Sequence, residues 1–292
     1  MPVPGIVHRS VISFDGTRIA YQVRGEGKAV VFANGLGGSY TAWRHQYSLF
    51  EQGYKVICWD YRGLYRSDRP ARLDTLALDQ QTRDLEAILE AESVDKAIFI
   101  GWSMGVQFNF EYFRRRPDHF LGLVALNGVA GKPFETALGI PAMEKLLPPL
   151  LLAVKSTASL IGPAAGVLAK WRGLIPVMQL MGMVGKSLDR QVFYDLAGEF
   201  SSLDFTVYAE VFRYLGQHDA RDLLHRINVP VLVLTGSKDM MTPRATSEAI
   251  RDAIPAAELA IIDGGTHYTA VEFPRQINKL LLDFIERLPA VE

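Results

Sequence analysis

Short apolar runs alternate with longer amphipathic stretches through the first third of the chain. Segments 7–14 and 18–23 flank Asp15-Gly16, a turn pair that folds two strands into a hairpin. Compact apolar runs follow at 29–33, 56–59, 97–100 and 121–126, separated by stretches of helical length near 40–52, 77–93 and 103–116. Runs this apolar, with no polar alternation, suit parallel strands covered on both faces. Their order, strand then helix, predicts right-handed crossovers in a mostly parallel, doubly wound α/β sheet.

Past Asn127-Gly128 the pattern changes. From Lys132 to about Gln217 no convincing strand occurs, and the apolar segments 146–154 and 158–169 are broken by Pro148, Pro149, Lys155, Gly162 and Pro163. This stretch reads as a helical cap inserted at 132–215 into a core made of 1–131 and 216–292. Alternation then resumes with strands at 231–235 and 259–262 and helices near 244–253 and 273–288. In the last of these, Phe273, Ile277, Leu280, Leu281, Phe284 and Leu288 form a stripe of helical period.

Composition narrows the partners. The chain has 292 residues, 49% hydrophobic and 22% charged, so a folded core would bury about three quarters of the extended surface. Its 32 acidic and 31 basic residues leave a net charge of −1. That balance offers no charge-driven attraction to nucleic acid or to an anionic membrane. A lone Cys58, read as an inert core thiol, excludes an intramolecular disulfide and a Cys-rich metal site. The first residues lack the features of a signal peptide, and no apolar run reaches the roughly 18 residues of a membrane span. The expectation is a cytoplasmic protein with no nucleic-acid partner and no stable membrane insertion, with a homodimer as its open oligomeric option.

Candidate chemistry concentrates after the strands. Gly101-Trp102-Ser103-Met104-Gly105 follows the run 97–100 and opens a helical pattern. In such a G-x-S-x-G corner the serine occupies a strained strand-to-helix turn, and the glycines let neighbouring backbone pass without Cβ clashes. The hydroxyl then stands above the sheet at a helix N-terminus, where partial positive charge favours a developing anion.

On these residues the sequence resembles the α/β-hydrolase family over nearly its whole length. Asn34-Gly35-Leu36-Gly37-Gly38 stands where that family places its oxyanion loop, and Asp60-Tyr61-Arg62-Gly63-Leu64-Tyr65-Arg66-Ser67 is similar to its D-x-R-G-x-G-x-S segment. Gly236-Ser237-Lys238-Asp239 and Gly264-Gly265-Thr266-His267 supply an acid and a histidine in the family's chain order. Two departures stand out. Asn34 replaces the His common before Gly35, so any side-chain bond organising that loop must be rebuilt, and Tyr65-Arg66 puts a bulky ring near the rim of the site.

The resemblance implies a catalytic triad of Ser103, His267 and Asp239, with an oxyanion hole formed by the backbone N–H groups of Leu36 and Met104. Serine needs a base to become nucleophilic, imidazole can take and return a proton near neutral pH, and the carboxylate fixes the imidazole tautomer. A serine at 103 points to acyl chemistry, whereas a dehalogenase or epoxide hydrolase of this fold would carry aspartate there. Some members place their acid after the strand preceding the cap, but this chain has Asn127, which leaves Asp239. The reading is a carboxylesterase or lipase-like serine hydrolase acting on a small-molecule ester with a hydrophobic or short-to-medium acyl group, through an acyl-enzyme, with no metal and no organic cofactor. Carbon–carbon bond hydrolysis, lactone opening, perhydrolysis, acyl transfer and slow-turnover ligand reception use much the same residues and stay open.

Overall fold

Eight strands, β1 Val7–Ile12, β2 Arg18–Arg24, β3 Lys28–Ala33, β4 Tyr54–Trp59, β5 Ala97–Trp102, β6 Phe120–Leu126, β7 Val231–Gly236 and β8 Ala257–Ile262, join into one sheet ordered β1-β2-β4-β3-β5-β6-β7-β8. The computed structural model describes residues 5–50, 53–136 and 171–289, with scattered positions between 149 and 168. The predicted segments 146–154 and 158–169 fall almost entirely outside the described residues. β1 pairs antiparallel with β2, and β2 with β4; every other pairing is parallel.

Apolar continuity explains the interior strands. All six residues of β5 and of β7 are buried, as expected for strands sandwiched between helical layers. On one face pack α1 (Leu78–Ala91), α2 (Met104–Arg115) and α6 (Arg244–Ala253). The opposite face carries α7 (Pro274–Glu286), with Ile277, Leu281, Phe284 and Ile285 buried as its stripe predicts. Pro274 starts that helix where its missing N–H costs nothing.

The predicted helix over 40–52 is not a regular one. A 3-10 turn at Tyr40–Trp43, a helical turn at Arg44–Tyr47 and another 3-10 turn at Ser48–Phe50 take its place. Tertiary packing decides this: Trp43, Tyr47 and Phe50 all gather around Phe32 of β3, with ring centroids 4.6, 5.8 and 5.8 Å away. Tighter turns bring all three rings to one centre.

Between β6 and β7 the described chain holds α3 (Leu174–Leu180), α4 (Arg190–Phe200) and α5 (Phe205–Gln217) and no strand. Asp189 caps α4 by accepting from the Gln191 and Val192 amides, and Asp204 caps α5 through those of Thr206 and Val207. Carboxylates then tie α4 down. Asp189 meets His45 at 3.0 Å, Asp195 meets Arg44 at 2.6 Å, and Glu199 accepts from Ser39 and, at 2.8 Å, from Thr41. Among the described residues no helix is long and apolar enough to cross a membrane.

Candidate active site

The sheet order makes β3 and β5 neighbours although β4 lies between them in sequence. Loops leaving the carboxyl ends of adjacent strands on opposite sides of such a switch point open a crevice. The Asn34–Gly38 loop leaves β3 there, and Ser103 follows β5.

Ser103 sits at φ 55°, ψ −117°, a left-handed conformation a serine holds at a cost of about 1–3 kcal/mol. Its amide donates to the Leu126 carbonyl at 3.0 Å, and its own carbonyl accepts from Val106 at 3.0 Å, so the corner is fixed from both sides. Gly105 is compulsory for packing: a Cβ there would stand 2.1 Å from the Ala33 carbonyl oxygen at the end of β3. Gly105→Ala must therefore push α2 off the sheet. We expect a loss of about 2–3 kcal/mol or more, read as a lower urea midpoint at unchanged m-value.

Asp239 and His267 follow β7 and β8, and the two loops are stitched together. The Ser237 amide donates to Ile262 at 2.9 Å and the Lys238 amide to Gly265 at 2.8 Å. His267 Nδ1 lies 3.0 Å from Asp239 Oδ2 and 3.2 Å from Oδ1, with both side chains buried. Asp239 Oδ1 also accepts from the amides of Met241 and Thr242, each at 2.9 Å. Its Oδ2 accepts from the Thr242 hydroxyl at 2.6 Å and from Asn127 Nδ2 at 2.8 Å. Burial alone would raise the Asp239 pKa. The facing imidazole and the Thr242 hydroxyl and amide outweigh it and hold the carboxyl below its ordinary 3.8.

Leu36, Ser103, Met104 and His267 line one cavity of about 250 Å³, with Asp239 hydrogen-bonded behind the histidine. The five residues singled out in the sequence thus gather in one place. Ser103 and His267 both line this cavity, with no direct hydrogen bond between them among the described contacts.

The two sequence departures resolve into hydrogen bonds. Asn34 is buried; its Nδ2 donates to the Trp59 carbonyl at 3.0 Å and its Oδ1 accepts from Trp43 Nε1 at 2.9 Å. Tyr65, at φ 52°, turns its ring inward, and its hydroxyl donates to the Gly37 carbonyl at 2.5 Å. It buttresses the loop carrying Leu36 instead of obstructing the rim. Arg62, fully buried, pairs with Asp84 and Asp15 and belongs to the scaffold. Cys58 is buried, and burial pushes its thiol pKa up, consistent with an inert core thiol.

Two residues escaped sequence reasoning. Asn127, at φ 48°, donates to Asp239 and to the Thr266 carbonyl at 3.2 Å, and accepts from Thr269. It braces acid and histidine loops at once. Glu272 accepts from the Thr266 amide at 2.8 Å and hydroxyl at 2.6 Å, and from the Gly185 amide at 2.5 Å. It therefore joins the histidine loop to the β6–β7 insertion. Asparagine after β6 was the only available signal for the first, and nothing local marks the second.

A family model described as alpha/beta hydrolase fold matches residues 28–151. Solved structures match nearly the full chain, among them a bromoperoxidase from Bacillus anthracis with TM-score 0.79 and 21% identity, covering 96% of this chain and 100% of that one. The chain has the α/β-hydrolase fold. It is similar to "Putative carbamate hydrolase RutD" of Variovorax paradoxus, 28% identical over 279 residues, covering 92% of this hydrolase and 97% of that protein. It is also similar to 3-oxoadipate enol-lactonase 2 of Acinetobacter baylyi, 25% identical over 257 residues, covering 86% of this chain and 85% of that one. The structure of Est816, titled as an N-acyl homoserine lactone degrading enzyme, superposes with TM-score 0.73 at 27% identity, covering 94% of this chain and all of that one. The names of the carbamate hydrolase and the enol-lactonase support hydrolase chemistry for this chain.

Proposed function

We propose that this α/β hydrolase cleaves uncharged carboxylic esters, lactones included, through an acyl-enzyme on Ser103. His267 takes the Ser103 proton as the hydroxyl attacks the carbonyl carbon. Asp239 holds the imidazole with Nδ1–H toward the carboxylate and stabilises the imidazolium. The oxyanion is received by the Leu36 and Met104 amides, each worth about 3–4 kcal/mol in the barrier. The alcohol leaves with the proton from His267, and a water deprotonated by the same nitrogen then releases the acid. The insertion over 132–215 serves as the cap.

The observation that carries this reading is the imidazole–carboxylate pair behind a cavity that also holds a serine on a strained strand-to-helix corner. The names borne by the relatives, a carbamate hydrolase, an enol-lactonase and an N-acyl homoserine lactone degrading enzyme, fit acyl attack by the same machinery.

Charge separates the candidate substrates. Apart from His267, no described residue lining the Ser103 cavity or its neighbour bears a carboxyl, ammonium or guanidinium group; the walls are mostly Leu, Met, Phe, Trp, Tyr and small residues, with Gln107 the one side-chain amide. A carboxylate entering that lining loses hydration and meets no cationic partner to offset the loss. We therefore expect p-nitrophenyl octanoate to exceed mono-p-nitrophenyl suberate, its equal-length acid, by about 30-fold or more in kcat/KM. Equal rates, or faster cleavage of the acid, would show that the substrate class is anionic.

A further inference from the structure

Two cavities meet over Ser103. One, of about 250 Å³, holds Ser103 and His267; the other, of about 340 Å³, lies under the insertion. Leu36, Trp102, Tyr208, Met241 and Tyr268 line both and form the boundary between them. The lining is apolar enough that each remaining polar donor needs an explanation.

Most have one. Trp102 Nε1 donates to the His267 carbonyl at 2.9 Å, Thr242 Oγ1 to Asp239, and Gln107 Nε2 to the Gly131 carbonyl at 3.2 Å. The hydroxyls of Tyr208 and Tyr268 differ. Neither has a hydrogen-bond partner in the described structure, and both residues are partly exposed where they face the cavities.

Both rings are nevertheless held firmly. Tyr208 packs edge-on against Phe200 with centroids 5.2 Å apart, and its ring lies 3.2 Å from where a Gly37 Cβ would stand. Tyr268 rests on Trp102 at 5.4 Å and Phe193 at 5.6 Å. One phenol thus flanks the oxyanion loop and the other follows the histidine, so the pair brackets the reacting centre. Burial raises both pKa values, that of Tyr268 to about 12, so each carries its proton at neutral pH and acts as a donor.

We infer that Tyr208 and Tyr268 form a hydrogen-bonding station for an uncharged acceptor, a ketone or amide carbonyl, that the substrate carries a few bonds from its scissile ester. The preferred substrates are then oxo- or amido-substituted acyl esters or lactones, not plain hydrocarbon esters. This rests on the ester-hydrolase reading above. A site with fixed donors discriminates against a ligand lacking the acceptor, because its donors are left unpaired in an apolar wall.

The test compares p-nitrophenyl octanoate with its keto analogues bearing the ketone at carbon 4, 5, 6 or 7. In the wild type at least one keto ester should exceed octanoate by about tenfold in kcat/KM. Tyr208→Phe and Tyr268→Phe should each cut that keto-to-alkyl ratio about threefold or more, and the double variant should bring it near one. A ratio near one at every position in the wild type, or a ratio unmoved in both variants, overturns the proposal. Because a ratio is read, losses of folding or of Ser103 reactivity cancel. Calorimetric titration of Ser103→Ala with the corresponding methyl esters reads the same ratio as Kd without turnover. Keto preference in binding with no ester cleavage by the wild type would contradict the hydrolase reading while sustaining the station; cleavage without the preference would do the reverse.

Discussion

Ser103→Ala is expected to lower kcat/KM for p-nitrophenyl butyrate by about a million-fold, the loss typical of removing a triad nucleophile. Without the hydroxyl no acyl-enzyme forms. What survives is carbonyl polarisation by the loop amides, worth about a thousandfold over water. The loss should fall on kcat, since the methyl left at 103 still packs against the same walls and the hydroxyl contributes little to ground-state binding. The corner keeps its strain, because alanine at φ 55° is no more comfortable than serine. Thermal stability should consequently stay close to that of the wild type. A variant retaining more than a few per cent of activity, with the protein free of contaminating esterase, would move the nucleophile elsewhere.

The second large effect is expected from Asp239→Asn, about ten-thousandfold in kcat. Asparagine keeps the shape but turns an N–H toward somewhere that only acceptors are wanted. The carboxylate receives the Met241 and Thr242 amides on Oδ1 and the Thr242 hydroxyl and Asn127 Nδ2 on Oδ2, besides the imidazole. Either placement of an amide NH2 sets donor against donor, so the histidine loses its orienting acceptor and the loop loses at least one bond. Stability should fall too, with a definite pH signature. A carboxyl whose pKa is lower when folded stabilises above its unfolded value, and that contribution is lost as pH falls through the folded value. The stability gap between wild type and Asp239→Asn, measured by urea titration at several pH values, should therefore narrow below the ordinary Asp value of 3.8. A gap independent of pH would mean that folding leaves the Asp239 pKa where it stands in the unfolded chain.

The sheet was legible because its central strands are short apolar runs with no competing pattern; the predicted helix 244–253 coincides with α6, Arg244–Ala253. Ser103, Asp239 and His267 were legible for a different reason: each occupies a tight turn immediately after a strand, where sequence motif and topology coincide. Tyr65 shows where that logic ends. As a residue it predicts bulk at the rim, yet its left-handed backbone sends the hydroxyl back to Gly37. Asn127 and Glu272 lie further beyond reach. Asn127 meets Asp239 across 112 residues and Glu272 meets Gly185 across 87, and such pairings leave no local periodicity to read. The 40–52 segment failed as a helix because three aromatic rings converge on Phe32, a tertiary demand that overrides local propensity.

Covalent capture addresses the reaction itself. Protein mixed with p-nitrophenyl butyrate and quenched in acid within the first turnovers, then digested and weighed, should yield the peptide containing Ser103 heavier by one butyryl group. The same peptide from Ser103→Ala should remain unmodified. A wild-type enzyme that turns the ester over while residue 103 stays unacylated under every quench time would contradict the acyl-enzyme account.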